Sequence, residues 1–387
     1  MSGVDLLRCA LPAQDDKLAG FSRRPFIRTA ALEALKAARK RPSHATPALA
    51  HYFRTTRRLG SRDRRTVQEA VYGVIRHQGI LLRAGLHEDA DLLDGWARLL
   101  EGDTLPGIAP GRPAEDLASA LSVGYRLAAG WLERLGPDDA ARLARSLQAR
   151  PAVHIRANRL RCAREALSER LSEEGIETVP IDGLADGLAL VGRANLAASP
   201  AFREGWFEVQ DASSQRFCAA LPLRRGQRVV DVCAGAGGKS LALAARGAKV
   251  EAWDIREDAL AELAKRARRA GAGIAIGEPT PAPFVLVDAP CSSTGRLARD
   301  PALRWGLEQD RHLGAQADLL AAAAAIVEPG GVLAYATCSL VEAEQAHAPP
   351  DEDGPWSMEQ DVVLWPHESG TDGFSWRVWR RGGEAAQ

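Results

Sequence analysis

The sequence predicts an α/β fold whose carboxyl-terminal half is a doubly wound, parallel sheet, preceded by a small α/β module and an all-helical segment. Three observations support this. From about Trp206 onward, short apolar runs alternate with helical periodicity, and the first such run enters a glycine-rich turn. Acidic and cysteine residues recur where these runs end. Such alternation is typical of a parallel sheet covered by helices on both faces.

The amino-terminal part of the chain is predicted to be a flexible leader, residues 1–20, followed by a helical domain, residues 21–148. In this domain Ala, Leu and Arg repeat at three- and four-residue spacing, as they do in Val67–Ile75. A polar, glycine-marked break at Leu59–Asp63 precedes that helix, so we expect Ser61 or Asp63 to be its N-cap.

Residues 149–205 are predicted to form the small α/β module. Val153–Asn158 alternates like a strand and Arg161–Glu174 is amphipathic at helical spacing. Short strands are expected around Thr178–Ile181 and Ala189–Val191.

The last predicted domain covers residues 206–387. Its elements are a strand at Arg228–Cys233, a helix at Lys239–Arg246, a strand at Lys249–Trp253, a helix at Asp258–Ala270, a strand at Phe284–Val287, a helix at Leu313–Val327 and a strand at Gly331–Ala336. In parallel sheets of this kind, ligands bind at the carboxyl ends of the strands. The residues expected at those ends are Cys233, Asp254, Asp288, Cys291 and Cys338.

The glycine-rich turn Ala234–Gly238 predicts a nucleoside cofactor. Glycines let a ligand approach the backbone, and the helix that follows offers free N–H groups. The dinucleotide fingerprint is not met, because Ser240 stands where its third glycine belongs. Asp254 would hold ribose hydroxyls. The alternatives are a plain strand–helix turn and, for Asp254, a helix N-cap, so these residues alone leave the cofactor open.

Two further segments, Asp288–Gly295 and Thr337–Ser339, predict the chemistry. Cytosine C5 is too weak a nucleophile to take a methyl group until a thiolate adds to C6. The ring then needs a proton or hydrogen-bond donor at N3, and a base must later remove the C5 proton. Cys338, Asp288 and Cys291 offer a thiolate, a carboxyl group and a base at neighbouring strand ends. The alternative for any cysteine is a small buried hydrophobe, which is the interpretation for Cys9, Cys162 and Cys218.

Composition excludes several classes of protein. The six cysteines lack the CxxC spacing of a zinc site and the density of a disulfide scaffold, so no metal is expected. The first twenty residues lack the apolar core of a signal peptide, and no apolar run is long enough to span a membrane. We therefore expect a cytoplasmic protein without membrane association, and a monomer.

The motifs together resemble those of a known family. Asp231–Lys239, Asp288–Ser292 and Thr337–Ser339, with Val209–Gln215 and Gly370–Phe374, are similar to the motifs of the Sun/Fmu family of RNA 5-methylcytosine methyltransferases. Two motif cysteines on successive strand ends separate that family from DNA cytosine methyltransferases, which use a single Pro-Cys nucleophile.

The resemblance extends toward the amino terminus. His154–Asn158 and Arg161–Leu171 look like the small RNA-contacting module of the family, and Leu59–Arg65 with Val71–Arg76 looks like its NusB-type helical domain. That domain marks the bacterial small-subunit rRNA members, of RsmB type. Two departures stand out: Gly235-Ala236 replaces the commoner Ala-Pro, and Glu342-Ala343-Glu344-Gln345 replaces the usual Glu-Glu-Asn.

The resemblance implies a role for each motif residue. Cys338 would attack the base, Cys291 would assist release of the product, and Asp288 would contact the base. S-adenosyl-L-methionine would be the cofactor. The residues implied to bind it are Cys233, Ala234, Gly235, Ala236, Gly237, Gly238, Lys239, Asp254 and Asp288.

RNA contacts are expected from arginine-rich segments, because guanidinium groups grip phosphates bidentately. Arg296–Pro301 follows the Asp288–Cys291 loop, where a substrate strand must pass; the alternative is a surface loop with Trp305 in the core. For Arg57–Arg65 the alternative is an ordinary charged helix end, and arginine-rich composition also arises from a GC-rich genome. The residues expected to contact RNA are Arg62, Arg64, Arg65, Arg156, Asn158, Arg296 and Arg299.

The predicted activity is methylation of cytosine C5 in RNA, with 16S rRNA as the preferred substrate. Two alternatives stay open: a tRNA cytosine-5 methyltransferase, and a catalytically inactive rRNA-binding factor for ribosome assembly.

Overall fold

The computed structural model describes residues 4–42, 45–308, 310–349 and 356–383. The chain divides into two compact units. The first consists of Met1–Arg150 with Thr294–Gln309, and the second of Pro151–Ser293 with Asp310–Gln387. Within the described ranges, no helix is long and apolar enough to cross a membrane.

The described part of the first unit contains seven α-helices. They are α1 (Asp16–Ala19), α2 (Pro25–Arg39), α3 (Ala45–Thr55), α4 (Ser61–Arg83), α5 (Asp89–Leu100), α6 (Pro113–Leu121) and α7 (Tyr125–Gln148). Alanine, leucine and valine on one face of α2 and of α4 form a shared core with α5. Helix α7 is broken at Gly136, which has a φ of 73° and precedes Pro137. This unit confirms the predicted all-helical segment.

Two details of the amino-terminal part differ from the prediction. The expected loose leader is packed where it is described, because Leu6, Leu7 and Ala10 are buried; its first three residues lie outside the described ranges. Helix α4 begins at Ser61 with Gly60 as its N-cap, so neither Ser61 nor Asp63 holds that position. Gly60 takes the extended backbone that an N-cap needs, without a side-chain hydrogen bond.

The segment Thr294–Gln309 belongs to the helical unit. It forms two short 3₁₀-helices, Thr294–Arg296 and Pro301–Gly306. The buried Arg304 guanidinium donates to three backbone carbonyls: Leu121 O at 2.8 Å, Leu297 O at 2.7 Å and Leu147 O at 3.1 Å. Burial lowers the pKa of Arg304 to about 9. Trp305 packs against the helical core, as in the alternative given above for this segment.

The second unit begins with a small sheet. Its elements are β1 (His154–Ala157), α8 (Arg164–Glu173), β2 (Thr178–Pro180), β3 (Gly187–Leu190), α9 (Pro200–Arg203) and β4 (Phe207–Val209). The four strands are antiparallel in the order β2-β3-β1-β4. Strand β4 follows the predicted boundary at residue 205, yet it pairs with β1 and completes the small sheet.

The larger sheet carries the predicted strand–helix alternation. Its elements are α10 (Ala212–Ala220), β5 (Arg228–Asp231), α11 (Gly238–Ala245), β6 (Lys249–Ala252), α12 (Glu257–Ala270), β7 (Ile274–Ile276), β8 (Ala282–Asp288), α13 (Leu313–Ala325), β9 (Val327–Thr337), α14 (Glu342–Gln345), β10 (Trp356–Leu364), α15 (Pro366–Ser369) and β11 (Phe374–Arg381). The order of the seven described strands is β10-β11-β9-β8-β5-β6-β7.

Strands β5 to β9 run parallel, and β11 lies antiparallel between β9 and β10. After β5 the chain builds one side of the sheet with β6 and β7, then returns to the other side of β5 with β8. This reversal creates a crevice at the carboxyl ends of β5 and β8, where ligands bind in such sheets. Apolar side chains are buried on both faces of the sheet. The predicted fold class is confirmed.

Candidate active site

The two cysteine motifs lie at the same edge of the large sheet. Asp288 is the last residue of β8, and its backbone pairs in parallel register with Ala336 of β9. Cys338 follows the last residue of β9, while Cys291 lies three residues beyond β8. Because neighbouring parallel strands end together, the register brings these three side chains to one edge.

The two thiols are within hydrogen-bonding distance. The Sγ atoms of Cys291 and Cys338 are 3.5 Å apart, and the Cys338 thiol donates to Ser293 Oγ at 3.4 Å. Ser293 holds a left-handed backbone with a φ of 56°, unusual for a residue with a side chain. The hydrogen bond with Cys338, burial and the nearby Glu344 raise the pKa of Cys291 well above its ordinary value. Cys291 is therefore held as a thiol beside Cys338.

Asp288 is paired with a lysine from the glycine-rich turn. Lys239 Nζ lies 2.5 Å from Asp288 Oδ2 and 5.1 Å from the centre of the Phe374 ring. Burial alone would lower the pKa of Lys239, but the ion pair with Asp288 raises it above its ordinary value. The sequence placed Lys239 among cofactor-binding residues only; the structure brings its cationic group to the predicted base-contacting carboxylate.

The glycine-rich turn joins β5 to α11. Gly235 and Gly237 have positive φ angles of 52° and 84°, which glycine adopts without steric cost. A Cβ atom on Gly237 would lie 2.7 Å from Leu263 Cγ, whereas one on Gly238 would meet nothing within 4 Å. The turn is therefore packed against α12 on one side and open above the start of α11. Ala234 and Ala236 lie in the same turn, and Arg266 Nη1 donates to Ala236 O at 2.6 Å.

Ser240, the residue that breaks the dinucleotide fingerprint, has a defined partner. Its hydroxyl donates to Asp231 Oδ2 at 2.6 Å beneath the turn. Burial raises the pKa of Asp231 to about 7, against the opposing effect of this hydrogen bond. Cys233, beside the turn, packs partly against the hydrophobic core, and burial raises its pKa. We infer a packing role for Cys233 and a turn-fixing role for Ser240.

Asp254 lies two residues beyond β6, at the same edge as the turn. Its Oδ2 accepts from Gly235 N–H at 2.8 Å and its Oδ1 from Arg256 N–H at 2.9 Å. Burial alone would raise its pKa, but these bonds and the Arg256 guanidinium hold it below its ordinary value. The exposed Arg256 side chain covers the carboxylate. A fixed, ionised carboxylate beside an open glycine turn fits the diol of a nucleoside cofactor.

The predicted RNA-binding arginines have different environments. Arg62, Arg65 and Arg296 are exposed to solvent, while Arg64 and Arg299 are half-buried. Arg64 Nε donates to Leu59 O at 2.9 Å, which fixes the turn before α4. Because the guanidinium groups of Arg62, Arg65 and Arg296 are exposed, a phosphate can reach them without any rearrangement of the fold.

Two of the residues predicted to contact RNA have their side chains inside the fold. Arg156 and Asn158 are buried in the small module. Arg156 Nε donates to Gln210 Oε1 at 2.7 Å, and Asn158 Nδ2 donates to Gly205 O and Ala270 O, both at 2.8 Å. All four residues of β1 are buried, so neither face of this strand is open to solvent. Both side chains therefore stabilise the fold of the second unit.

Sequence reasoning missed three polar residues around Cys291: Ser293, Gln316 and Glu344. Gln316 and Glu344 are fully buried and bond to the backbone of Pro290 and Ser292. Ser293 lies within the Asp288–Gly295 motif. No feature of the neighbouring sequence indicates a role for Gln316, which belongs to the alanine-rich helix α13. Among the described residues, no group of three or more His, Cys, Asp and Glu side chains could hold a metal ion.

The strand order, with an antiparallel strand beside β9 and a glycine turn after β5, is that of a Rossmann-like, class I methyltransferase domain. The family model described as 16S rRNA methyltransferase RsmB/F matches residues 218–349, and that of the RsmF/B-like ferredoxin-like domain matches residues 127–197. These two matches support the predicted resemblance to the Sun/Fmu-type, RsmB-like family.

Curated relatives agree with this assignment. The chain is 34% identical over 214 residues to the ribosomal RNA small subunit methyltransferase B of Salmonella arizonae, covering 51% of this chain and 50% of that protein. It is 32% identical over 232 residues to the protein of the same name from Klebsiella pneumoniae, covering 56% of this chain and 54% of that protein. The chain thus spans about half the length of the curated relatives it matches.

Solved structures share the fold. The crystal structure of PH0851 superposes with a TM-score of 0.72 at 23% identity, covering 92% of this chain and 98% of that one. NSun6 from Pyrococcus horikoshii, solved with SFG, gives 0.57 at 17% identity, covering 65% and 97%. The matches to the RsmB/F methyltransferase family indicate S-adenosylmethionine as the cofactor, and the Asp254 carboxylate and the open glycine turn fit its ribose and its amino-acid part.

Proposed function

We propose that the protein transfers a methyl group from S-adenosylmethionine to C5 of a cytosine in RNA, with 16S rRNA as its substrate. In this proposal Cys338 forms a covalent bond to C6 and Cys291 helps to resolve the adduct. The observation that carries the proposal is the pair of thiols 3.5 Å apart at one edge of the sheet, beside the Asp288–Lys239 ion pair.

Cys338 acts as the nucleophile. Its thiol first loses its proton to solvent. The thiolate sulfur then adds to C6, and the electron pair of the C5–C6 double bond moves into the ring toward N3, which leaves C5 enamine-like. Cys291 donates a hydrogen bond to the Cys338 sulfur before attack and so favours its anionic form. The target nucleotide must be unstacked for its C6 to reach the thiol, as in other enzymes that modify a base.

Asp288 faces N3, where negative charge develops. Lys239 donates to the carboxylate of Asp288 and supplies the positive charge that balances the ring. A proton delivered to N3 through Asp288 neutralises the ring, with Lys239 as the nearby proton donor. Burial of Lys239 strengthens this interaction, because water screens the pair only from the side of the partly exposed Asp288.

The cofactor supplies an electrophilic methyl group when it is bound. Asp254 would hold the ribose hydroxyls, the N–H groups at the start of α11 would face the polar part of the cofactor, and the absence of side chains at Gly235, Gly237 and Gly238 would let the cofactor approach the protein backbone. After transfer the C5 proton must leave so that the C6–sulfur bond can break. Once the Cys338 sulfur is bonded to carbon, the Cys291 thiol loses its own proton to solvent. The resulting thiolate takes the C5 proton, the electrons of that C–H bond re-form the C5–C6 double bond, and the Cys338 thiolate leaves.

Replacement of Asp254 by asparagine is expected to weaken S-adenosylmethionine binding by about 10- to 100-fold. The change removes charge-assisted hydrogen bonds to the ribose, each worth about 1.5–3 kcal/mol. Titration calorimetry of the purified protein measures the effect. Asp258→Asn, an exposed carboxylate on α12, is the matched control and should bind normally. Equal affinity of the two variants would exclude Asp254 from the cofactor site.

Charge reversal of Arg62 and Arg65 to glutamate is expected to weaken RNA binding and to flatten its salt dependence. Each lost phosphate contact lowers the slope of log K against log salt by about 0.7–0.9. The control is Lys36→Glu with Lys40→Glu, which changes charge equally at exposed positions of the same unit. A salt titration in which both double variants behave like the native protein would remove this surface from the proposal.

The substrate class is tested by methyl transfer from labelled cofactor to three RNA samples: unmodified 16S rRNA, a tRNA pool and an unrelated RNA of equal length. The proposal expects label in 16S rRNA only. Label in tRNA alone would select the tRNA alternative. Binding of 16S rRNA without label in any sample, and without cofactor binding by calorimetry, would select the inactive assembly factor.

A further inference from the structure

Two fully buried polar side chains hold the loop that carries Cys291. Glu344 accepts from Ser292 N–H at 2.9 Å and from the Ser292 hydroxyl at 2.6 Å. On the other side of the cysteine, Gln316 Nε2 donates to Pro290 O at 2.8 Å. The peptide groups immediately before and after Cys291 are therefore both fixed by side chains.

The two side chains are themselves held in place. Gln316 Nε2 lies 3.4 Å from Glu344 Oε1, and Gln316 Oε1 is 2.9 Å from His347 Nε2. The backbone of Glu344 is fixed by Tyr335, whose hydroxyl donates to Glu344 O at 3.2 Å. A buried carboxylate with several hydrogen bonds is strongly directional, because a displaced one would lose bonds that water cannot replace.

The same network reaches the segment that carries Cys338. Helix α14, which contains Glu344, begins four residues after Cys338. Ser339 Oγ lies 3.0 Å from Ser292 Oγ and accepts from Val341 N–H at 3.0 Å. Glu344 lies in the segment that follows Cys338 and binds Ser292 in the segment that follows Cys291. It thus connects the two segments, although Ser292 and Glu344 are 52 residues apart in the sequence.

We propose that Glu344, supported by Gln316, is a positioning residue that fixes Cys291 against Cys338 and thereby sets the rate at which the covalent adduct is resolved. This inference rests on the proposed function. Glu344 touches neither the base nor the cofactor in this account; it acts through Ser292. After the larger effects of Cys338 and burial, the charge of its carboxylate also raises the pKa of the Cys291 thiol and so favours the protonated form before the adduct exists.

Other groups face Cys291 as well. They are Cys338, which follows β9, and Tyr335 within β9. Cys338 raises the pKa of Cys291, and Cys291 in turn raises that of Tyr335. His347 is linked through Gln316, and burial lowers its pKa despite the nearby Glu344 carboxylate. Removal of the Glu344 charge leaves these groups in place, so the resulting change in the pKa of Cys291 measures the contribution of Glu344 alone.

The test compares Glu344→Gln with Glu342→Gln, an exposed glutamate two residues earlier on α14. The first measurement is the fraction of 16S rRNA trapped covalently on the full-length protein with S-adenosylmethionine. The second is the pH dependence of iodoacetamide alkylation at Cys291, read by peptide mass spectrometry. For Glu344→Gln we expect about tenfold more trapped RNA, from loss of a charge-assisted contact, and an alkylation midpoint at lower pH. For Glu342→Gln we expect native values.

Ser292→Ala, at the other end of the same hydrogen bond, covers the case in which Glu344→Gln does not fold. It should also increase trapped RNA, because it removes the hydroxyl contact and leaves the backbone bond. The inference would be overturned if Glu344→Gln and Ser292→Ala gave the same amount of trapped RNA and the same Cys291 alkylation midpoint as Glu342→Gln. A shifted midpoint in a protein whose native form makes no 5-methylcytidine would instead support the positioning role and refute the proposed function.

Discussion

Replacing Cys338 by alanine is expected to reduce methyl transfer to RNA by at least about a thousandfold, since the loss of a covalent nucleophile typically costs several orders of magnitude. Without a thiolate at C6, C5 does not become nucleophilic. Cys338→Ser should be equally inactive, because a hydroxyl ionises far less readily than a thiol. Both variants should bind S-adenosylmethionine normally, since the glycine turn and Asp254 lie beyond a different pair of strands.

The measurement is the rate of label transfer from S-adenosylmethionine to 16S rRNA, with calorimetry of cofactor binding alongside. Cys162→Ala is the control, because this thiol lies in the small module and donates to Trp206 O. Transfer by Cys338→Ala at a rate close to that of Cys162→Ala would show that the reaction has no need of this thiol.

Replacing Cys291 by alanine is expected to give a stable protein–RNA adduct in the presence of cofactor. The Cys338 sulfur still attacks C6 and the methyl group is still transferred, but the C5 proton is no longer removed efficiently, so the carbon–sulfur bond persists. Denaturing gel electrophoresis with labelled RNA should show a slowly migrating band for Cys291→Ala. The native protein should show little of it, and Cys338→Ala none.

The adduct assay also assigns the two roles. A band from Cys338→Ala and none from Cys291→Ala would exchange the functions of the two thiols. The double variant Cys291→Ala with Cys338→Ala serves as its control and should form no adduct. The short distance between the sulfurs makes this comparison necessary, because geometry alone places either thiol near the same edge of the sheet.

Much of the large sheet was predictable because its central strands are continuous apolar runs. Strand β8, for example, is buried over almost its whole length and ends on Asp288. Such runs are typical of strands covered on both faces. Strand β7 has only three residues, and β10 has no fully buried residue; the sequence analysis predicted neither.

The positions of the motif residues followed from strand ends, but their partners did not. The sequence placed Asp288 and Lys239 in one site without indicating that they form an ion pair across 49 residues. Glu344 stood in a segment recognised only as a departure from the family pattern, and its partner Ser292 lies 52 residues earlier. Long-range hydrogen bonds of this kind leave no periodic signal in the sequence.

The sequence also did not distinguish buried arginines from exposed ones. Arg156 and Arg304 are buried, which is rare for arginine. Each donates to neutral oxygen atoms of neighbouring elements rather than to phosphate. A count of basic residues cannot separate these from exposed ones such as Arg62. Arg156 was expected to contact RNA because its segment resembles the RNA-contacting module of the family, but every residue of β1 is buried, which the sequence did not indicate.

The most direct test of the account is the chemical identity of the methylated nucleoside. Unmodified 16S rRNA is incubated with the native protein and labelled S-adenosylmethionine, digested to nucleosides and analysed by mass spectrometry against authentic standards. The account predicts label in 5-methylcytidine, and none when Cys338→Ala replaces the native protein. Label in another nucleoside, such as a cytidine methylated on its exocyclic nitrogen, would contradict it, because that reaction needs no thiolate at C6.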